Sequence, residues 1–437
     1  MNVRAASFDA HRSRGGERGT RLGWVEAALA VAALAALCAA VLSVPPQAAE
    51  PDDGAYHASI AAITDGHFLT LSTAQAETLA RELRDNPAAP PNQWVEVTPG
   101  RWISEKDPGY PFLAAPLEKL GIIRLAPLFY GALACLGLFF GARRWLGRFG
   151  GPAAVGLYCS SGAAIAFAWR DYMPTFTDTS LVAAGSGALL WSVLATEANS
   201  RRRTWVGLGG FLAIEAATFV RYTNVVILGC AVVAVIVSWQ RQSAKLPLRT
   251  LCWWLASVAA FGAGIAVFDD RVYGGPLTTG YPPGEVTFRA SAIGANLRIM
   301  PAHLMRAMPM LALALISLAW IVARWLVLRR MGGEVGVAAG RDLCVALALA
   351  GSWFAIWSLY AAYTWTTDPT STTVQVVRFY LPAIGAISLL GAWLVTRIPD
   401  RGWLAGLAAT AVLAALFVLG IWAFHAMYAA FGVPLST

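Results

Sequence analysis

An all-α polytopic membrane protein is the fold class this sequence predicts, and three observations predict it. Of 437 residues, 57% are hydrophobic and only 13% are charged, too little polar surface to cover so much apolar side chain in water. Mostly apolar runs of about 18 to 24 residues recur along the chain, the length an α-helix needs to cross ~30 Å of hydrocarbon. The basic residues gather between those runs. A net charge of +8 would suggest nucleic acid in a soluble domain, but clusters placed this way set orientation, and no nucleic-acid partner is expected.

About eleven spans are expected. Their centres lie near Ala32, Leu133, Leu157, Leu189, Leu212, Val232, Val258, Leu315, Leu349, Ile387 and Leu413. An arm, 1–23, carries Arg4, Arg12, Arg14, Arg18 and Arg21 ahead of the first span, Trp24 to Val44. The length of that span and the acids after it favour a retained anchor over a signal peptide, despite the small residues of Gln47-Ala48-Ala49. Further clusters are Arg143, Arg144 and Arg148; Arg201 to Arg203; Arg241, Lys245 and Arg249; Arg324, Arg329 and Arg330; and Arg397 with Arg401. All fall on one side if the spans alternate. The positive-inside rule then puts the N-terminus in the cytoplasm and the C-terminus outside a plasma (inner) membrane. The rest, 24–437, reads as one transmembrane domain with external loops at 45–124 and 269–303. Only Phe424 to Thr437 follow the last span, so no soluble C-terminal domain is expected.

In the first external loop, Tyr56, Ile60, Ile63 and Phe68 fall near one helical face, and Leu79 and Leu83 recur in a segment from Ser72. Such amphipathic pieces lie along the membrane interface. Pro87, Pro90 and Pro91, between Asn86 and Gln93, break the helical pattern after them. Pro51 suits the first turn of a helix, which puts Asp52 and Asp53 near its positive end with Tyr56 one turn beyond. Two readings stand for that acidic pair: a helix cap, or catalytic acids at the membrane surface.

Other positions read, on the residues alone, as structural. Lys106-Asp107-Pro108-Gly109-Tyr110 is a turn between two segments. Asp178, in Thr177-Asp178-Thr179, caps the next helix. Arg221-Tyr222 joins two spans with almost no loop, as an interfacial anchor. Glu215, deep in a span, lines a cavity or bonds a neighbouring helix. His57 reads as a solvated loop group, and His11, His303 and His425 share no spacing. Cys38, Cys135, Cys159, Cys230, Cys252 and Cys344 lie within or at the edge of spans and imply neither a disulfide framework nor a metal site.

The order of these elements resembles the GT-C superfamily of polyprenyl-phosphate-dependent glycosyltransferases, the branch of protein O-mannosyltransferases, aminoarabinose transferases and Rgt-like enzymes. Asp52, Asp53 and Tyr56 match its acidic pair and aromatic. Lys106-Asp107-Pro108-Gly109-Tyr110 is similar to its Lys-Pro-Pro-Gly-Tyr element, departing at Asp107. Arg378-Phe379-Tyr380-Leu381-Pro382 is similar to its Arg-Tyr-Leu-Leu-Pro element. Asp269-Asp270-Arg271-Val272-Tyr273-Gly274-Gly275-Pro276, running on to Tyr281, resembles a loop of its bacterial members and is read as a lid or acceptor-side loop.

The resemblance, from about Asp52 to about Leu394, implies a GT-C-like bundle with a large first external loop. It also implies a glycosyltransferase that moves a hexosyl or pentosyl group from a polyprenyl-phosphate donor to a hydroxyl-bearing glycan, lipid or protein, with inversion. Asp52 would be the general base, and Asp53 would orient the acceptor or hold a cation. Arg378, helped by Arg221 and Lys106, would meet the leaving phosphate, with Tyr56, Tyr110, Asp178, Tyr222 and Tyr380 as further substrate contacts. Asp52, Asp53 and Asp178 are candidate ligands for Mg2+ or Mn2+, though no spacing demands a metal. The rival class is a lipid-linked sugar flippase or secondary transporter, which should show broken helices at matching places in two halves; no internal repeat is seen. A scaffold whose 18 tryptophans serve as anchors is the third reading.

Overall fold

Each expected span centre falls on a helix of the computed structural model, which describes residues 16–44, 51–83, 91, 93–195, 200–241, 246–281, 284, 286–330, 333–397 and 403–429. Helix α1 (Gly16–Leu42) leads to the shorter α2 (Pro51–Thr64). Strand β1 (Thr70–Ser72), α3 (Thr73–Glu82), β2 (Trp94–Thr98), β3 (Arg101–Ser104) and α4 (Gly109–Lys119) complete the first large loop. The bundle continues through α5 (Ala126–Leu146), the bent pair α6 (Gly150–Cys159) and α7 (Gly162–Ala168), α8 (Thr175–Leu194), α9 (Ser200–Val220), α10 (Val225–Arg241) and α11 (Leu248–Tyr273). Then come α12 (Ala290–Ala307), α13 (Leu311–Leu328), α14 (Gly333–Ala361), the short α15 (Thr373–Tyr380), α16 (Ile384–Arg397) and α17 (Trp403–Ala429).

Among the described residues eight helices are long and apolar enough to cross a membrane, or nine if the α6–α7 pair, bent by 64°, is one span. The expected eleven is not reached by that measure. The two centres left over, near Leu189 and Leu212, sit on α8 and α9, whose lengths of 20 and 21 residues suffice but whose sequences are rich in Gly, Ser and Thr. Helix α8 is enclosed on most sides, so its faces meet protein rather than lipid and need no long apolar side chains.

Small residues set the packing there. On α5, a Cβ added to Gly137 would lie 2.4 Å from the Ala184 carbonyl oxygen, and one on Gly141 would lie 2.5 Å from that of Gly187. On α8, a Cβ on Gly187 would lie 2.2 Å from the Gly137 backbone. Helices this close gain dispersion contacts along their whole length, the main attraction left once both are in lipid.

At one end of the bundle, arginines that the sequence marks as orientation signals also have structural partners. Arg143 of α5 meets Glu26 of α1 at 3.0 Å. Asp342 of α14 accepts from Arg324 at 3.0 Å and from the indole nitrogens of Trp145 and Trp393 at 3.1 and 3.4 Å. Arg4, Arg12, Arg14, Lys245, Arg401, Pro87, Pro90, Gln47 to Ala49 and the tail after residue 429 lie outside the described residues.

Around the first large loop the structure departs from an all-helical reading. The three strands form an antiparallel sheet in the order β1-β3-β2, with Thr70 opposite Ile103 and Val95 opposite Ile103 on the other edge. The alternation Trp94-Val95-Glu96-Val97-Thr98 is a strand pattern, but three to five residues give a weaker signal than a helical face. Leu71, Trp94, Ala58, Ala62, Ala76 and Leu79 make a small core of their own between sheet, α2 and α3. Helix α3 begins as expected, with Ser72 and Gln75 closing a capping box. A second difference is that the expected loop 269–303 is helical at both ends: Asp269, Asp270 and Arg271 belong to the last turn of α11, which ends at a left-handed Gly274 (φ +85°), and α12 starts at Ala290.

Gly187→Val is expected to lower stability in detergent by at least about 2–3 kcal/mol, because backbone rather than a movable side chain occupies the space. Gly209→Ala, with nothing within 4 Å of the new carbon, should leave the melting temperature unchanged or slightly raised. Equal melting of the two variants would overturn the close-packed seam.

Candidate active site

Asp52 enters the site from the first turn of α2, as Pro51 foretells. Its carboxylate is mostly buried and takes partners from three other segments. Arg378 Nη1 of α15 lies 2.8 Å from Oδ2, Lys106 Nζ lies 3.2 Å from Oδ1, and Gln93 Nε2 donates to Oδ1 at 3.0 Å. Burial alone would raise this carboxyl, but the charge of Arg378, then that of Lys106, and the Gln93 bond hold it down at about 2.

The sheet explains how Gln93 and Lys106 arrive together. Gln93 directly precedes β2 and Glu105-Lys106 directly follow β3, and the Glu105 amide donates to the Gln93 carbonyl at 3.0 Å. Gln93 takes a left-handed φ of +60°, an unusual conformation for a side chain of its kind and one that aims it at Asp52. Lys106 also faces Glu105 at 3.6 Å and the ring of Tyr281 at 4.9 Å from its centroid. Tyr281 comes from the loop after α11, and its neighbour Gly280 packs so tightly that a Cβ would lie 2.5 Å from Glu105 Cα.

Arg378 lies between two aromatic faces, 4.8 Å from the centre of Trp365 and 4.7 Å from that of Phe379. Its carbonyl accepts from Arg221 Nη1 at 3.0 Å. Arg221 in turn meets Asp178 at 3.4 Å and donates to Thr175 at 3.0 Å. Asp178 accepts from the Thr179 amide at 2.6 Å and from Asn224 at 3.2 Å. The helix-cap reading is not met, since Pro174 stands at the N-cap of α8 and Asp178 lies within its first turn, facing Arg221 and Asn224. Lys106, Asp52, Arg378, Arg221 and Asp178 therefore form one connected polar run across five segments.

The Pro108-Gly109 turn braces that run. A Cβ on Gly109 would lie 2.3 Å from the Phe219 carbonyl carbon, so the start of α4 rests on the end of α9 just before Arg221. Asp107, partly exposed between Lys106 and this turn, is pushed by burial up to about 7, against the pull of Arg221, the Tyr222 amide and Lys106.

Other residues singled out by the sequence go elsewhere. Asp53 is buried and bonded to Arg170, from the turn between α7 and α8. Tyr56 and Tyr110 meet edge to face at 6.0 Å, and the Tyr110 hydroxyl donates to the Asp171 carbonyl. Burial holds the Tyr56 phenol well above its usual range, so it remains a donor. Tyr222 donates to Asp269 at 2.8 Å, and Tyr380 packs edge-on against Trp357. Glu215 accepts from Ser257 of α11 at 3.0 Å, the neighbouring-helix reading. His57 corrects its expectation: half-buried, it stacks on Tyr172 at 4.1 Å.

Sequence reasoning missed Gln93, Arg170, Asn224 and Trp365, and it read Tyr281 only as part of a lid or acceptor-side loop. Arg170 alone left a signal, as an arginine at a turn that alternation puts on the side poor in basic residues.

Asp52, Asp53 and Asp178 do not fit a shared divalent ion. Each is matched to a different cation, Arg378 with Lys106, Arg170 and Arg221 respectively. Among the described residues no three His, Cys, Asp or Glu side chains gather as a ligand set.

No family model and no curated protein matches the chain. Solved structures do. An ArnT from Cupriavidus metallidurans bound to undecaprenyl phosphate aligns with a TM-score of 0.50 at 15% identity, over 90% of this chain and 64% of that one. In its apo state the TM-score is 0.53, at the same identity and over 91% of this chain. An Archaeoglobus fulgidus oligosaccharyltransferase in complex with Zn and sulfate aligns at 0.54 and 12% identity, over 91% of this chain and 53% of its own. The chain thus spans under two thirds of the transferase's length and about half of the oligosaccharyltransferase's. Both are members of the GT-C superfamily, and the multi-pass helical architecture described above shares their fold.

Proposed function

We propose that this protein is a membrane glycosyltransferase that moves a sugar from a polyprenyl-phosphate donor to a hydroxyl acceptor. The observation that carries this reading is Asp52, a carboxylate held ionised between Arg378 and Lys106 at the start of an interfacial helix. In this reading the site end of the bundle faces outward from a plasma (inner) membrane, which the basic clusters at the other end support by the positive-inside rule. The fold neighbours support a lipid-phosphate donor, since one was solved with undecaprenyl phosphate and another with a dolichol-phosphate.

The chemistry needs three things. The acceptor oxygen attacks the anomeric carbon as the bond from that carbon to the phosphate oxygen breaks, which inverts the centre. Asp52 takes the acceptor proton, and the bond's electron pair leaves with the lipid phosphate. Lys106 and Arg378, with Arg221 behind, meet the charge that develops there. A carboxyl near 2 is a weak base while both cations sit on it. When the donor phosphate draws Lys106 and Arg378 to itself, the same carboxylate loses its partners and gains basicity next to the acceptor. Trp365 and Phe379 keep the guanidinium plane oriented through that exchange. Asp53 and Asp178 position neighbouring elements through Arg170 and Arg221. No step is assigned to a metal.

Transfer of radiolabelled sugar from a panel of polyprenyl-phosphate sugars into membrane extract tests this reading. Asp52→Asn should lower transfer by about 10²–10⁴-fold while the variant still binds donor. Undiminished transfer would move the base to another acid. No transfer from any donor, with labelled lipid crossing vesicle membranes, would replace the transferase by a flippase.

The pH dependence separates Asp107 from Asp52. Above about 7 an ionised Asp107 competes for Lys106 and Arg221, so the donor KM should rise through that pH in the unaltered protein. In Asp107→Asn it should stay flat. A rise that survives the substitution assigns the titration to another group.

A further inference from the structure

Helix α12 has one face that the protein leaves uncovered. Ile293, Leu297 and Met305, at intervals of four and eight residues, are exposed along it. With Arg298, His303 and Arg306 among its 18 residues, the helix is too polar to cross a bilayer and suits the interface plane. It lies at the same end of the bundle as Asp52, since Asn296 donates to the carbonyls of Ala361 and Tyr363 at 2.8 Å, where α14 has ended.

The last turn of α12 opens onto a cleft of about 310 Å3 between α12, α15 and α17. Its lining divides by chemistry. Arg306 and Thr373 occupy one wall, and Trp422, Ala423, Ala426 and Met427 of α17 occupy the other. No acidic side chain lines it. Arg306 makes no hydrogen bond or ion pair with any described residue, whereas the basic groups of the Asp52 site are all paired. Thr373 is fixed by a 2.8 Å bond to His303, which ties α12 to the start of α15. Trp422 is 63% exposed, so the apolar wall continues outward into the surrounding lipid.

A cation and a hydroxyl at interface depth, opposite an apolar wall that runs down the bundle, match a phosphate head group and the start of an acyl chain. We propose that this cleft binds one anionic phospholipid of the bilayer, its phosphate on Arg306 and Thr373 and its chain along Trp422 and Met427. At 310 Å3 the cleft holds a head group and its glycerol rather than a whole lipid. Arg378 lies five residues beyond Thr373 on α15, so an occupied cleft also steadies the element that presents Arg378. The proposal does not depend on the sugar-transfer reading.

The test is native mass spectrometry of the full chain in detergent, titrated with phosphatidylglycerol and separately with phosphatidylcholine. The unaltered protein should hold one phosphatidylglycerol more tightly than phosphatidylcholine. Arg306→Gln should weaken phosphatidylglycerol binding about fivefold, the gain from one basic side chain near an anionic lipid surface, and leave phosphatidylcholine unaffected. Arg298→Gln, outside the cleft, should change neither. Trp422→Ala, at an exposed position that folding tolerates, should weaken phosphatidylglycerol independently of any effect of Arg306→Gln on folding. Equal phosphatidylglycerol affinity in the unaltered protein and either cleft variant would overturn the proposal. So would displacement of the bound phospholipid by an equimolar polyprenyl phosphate, which would assign the cleft to the donor lipid.

Discussion

The arrangement depends first on one carboxylate, Asp52, held between Arg378 and Lys106. These residues are separated by 326 positions in one case and come from α2, the end of β3 and α15. Taking three charged groups out of water is costly, and it is offset only when the geometry is close and the remaining polar atoms are met. Gln93 supplies the extra bond to Asp52, and the two aromatic faces around Arg378 supply a surface that its flat guanidinium can contact. Removing one member of such a buried group leaves uncompensated charge, a cost of about 3–5 kcal/mol. The site therefore holds α2, the first-loop sheet and α15 in place as much as they hold it.

From that centre the polar run continues through the Arg378 carbonyl to Arg221 and Asp178, and each link fixes another element. Two glycines make this possible without any unusual dihedral. Gly109 lets the start of α4 rest on the end of α9, and Gly280 lets the loop after α11 rest on Glu105. In both places a methyl group would push apart segments that carry charged site residues. Under the proposed function, a donor phosphate entering here would find cations already gathered and already desolvated, needing only to change partner.

The far end of the bundle uses the same logic with a different purpose. Asp342 gathers Arg324, Trp145 and Trp393 from three helices, and Glu26 holds Arg143. Between the two ends, α5 and α8 meet along small residues where neither helix could gain from burying apolar surface away from water. Charge fixes the ends, and shape fixes the middle.

The sequence by itself determined the helical membrane class, the helix at each expected span centre and the turn that starts α2, because apolar run length, proline and capping residues act locally; α12, polar and lying in the expected loop 269–303, escaped it. It also singled out Asp52, Lys106, Arg221, Asp178 and Arg378, whose charge is conspicuous in so apolar a chain. Only the tertiary structure decided their pairing. That Asp178 faces a cation is decided by where the end of α9 brings Arg221, and Asp53 differs from Asp52 because one helical step turns it toward Arg170. The sheet that aims Gln93 and Lys106 was hidden because its strands run only three to five residues, too short for alternation to stand out, and because its third strand pairs Thr70 with the distant Ile103. The aromatic faces of Trp365 and Phe379 were hidden for a related reason: a tryptophan in a membrane protein reads as an anchor until the fold shows which charge it covers.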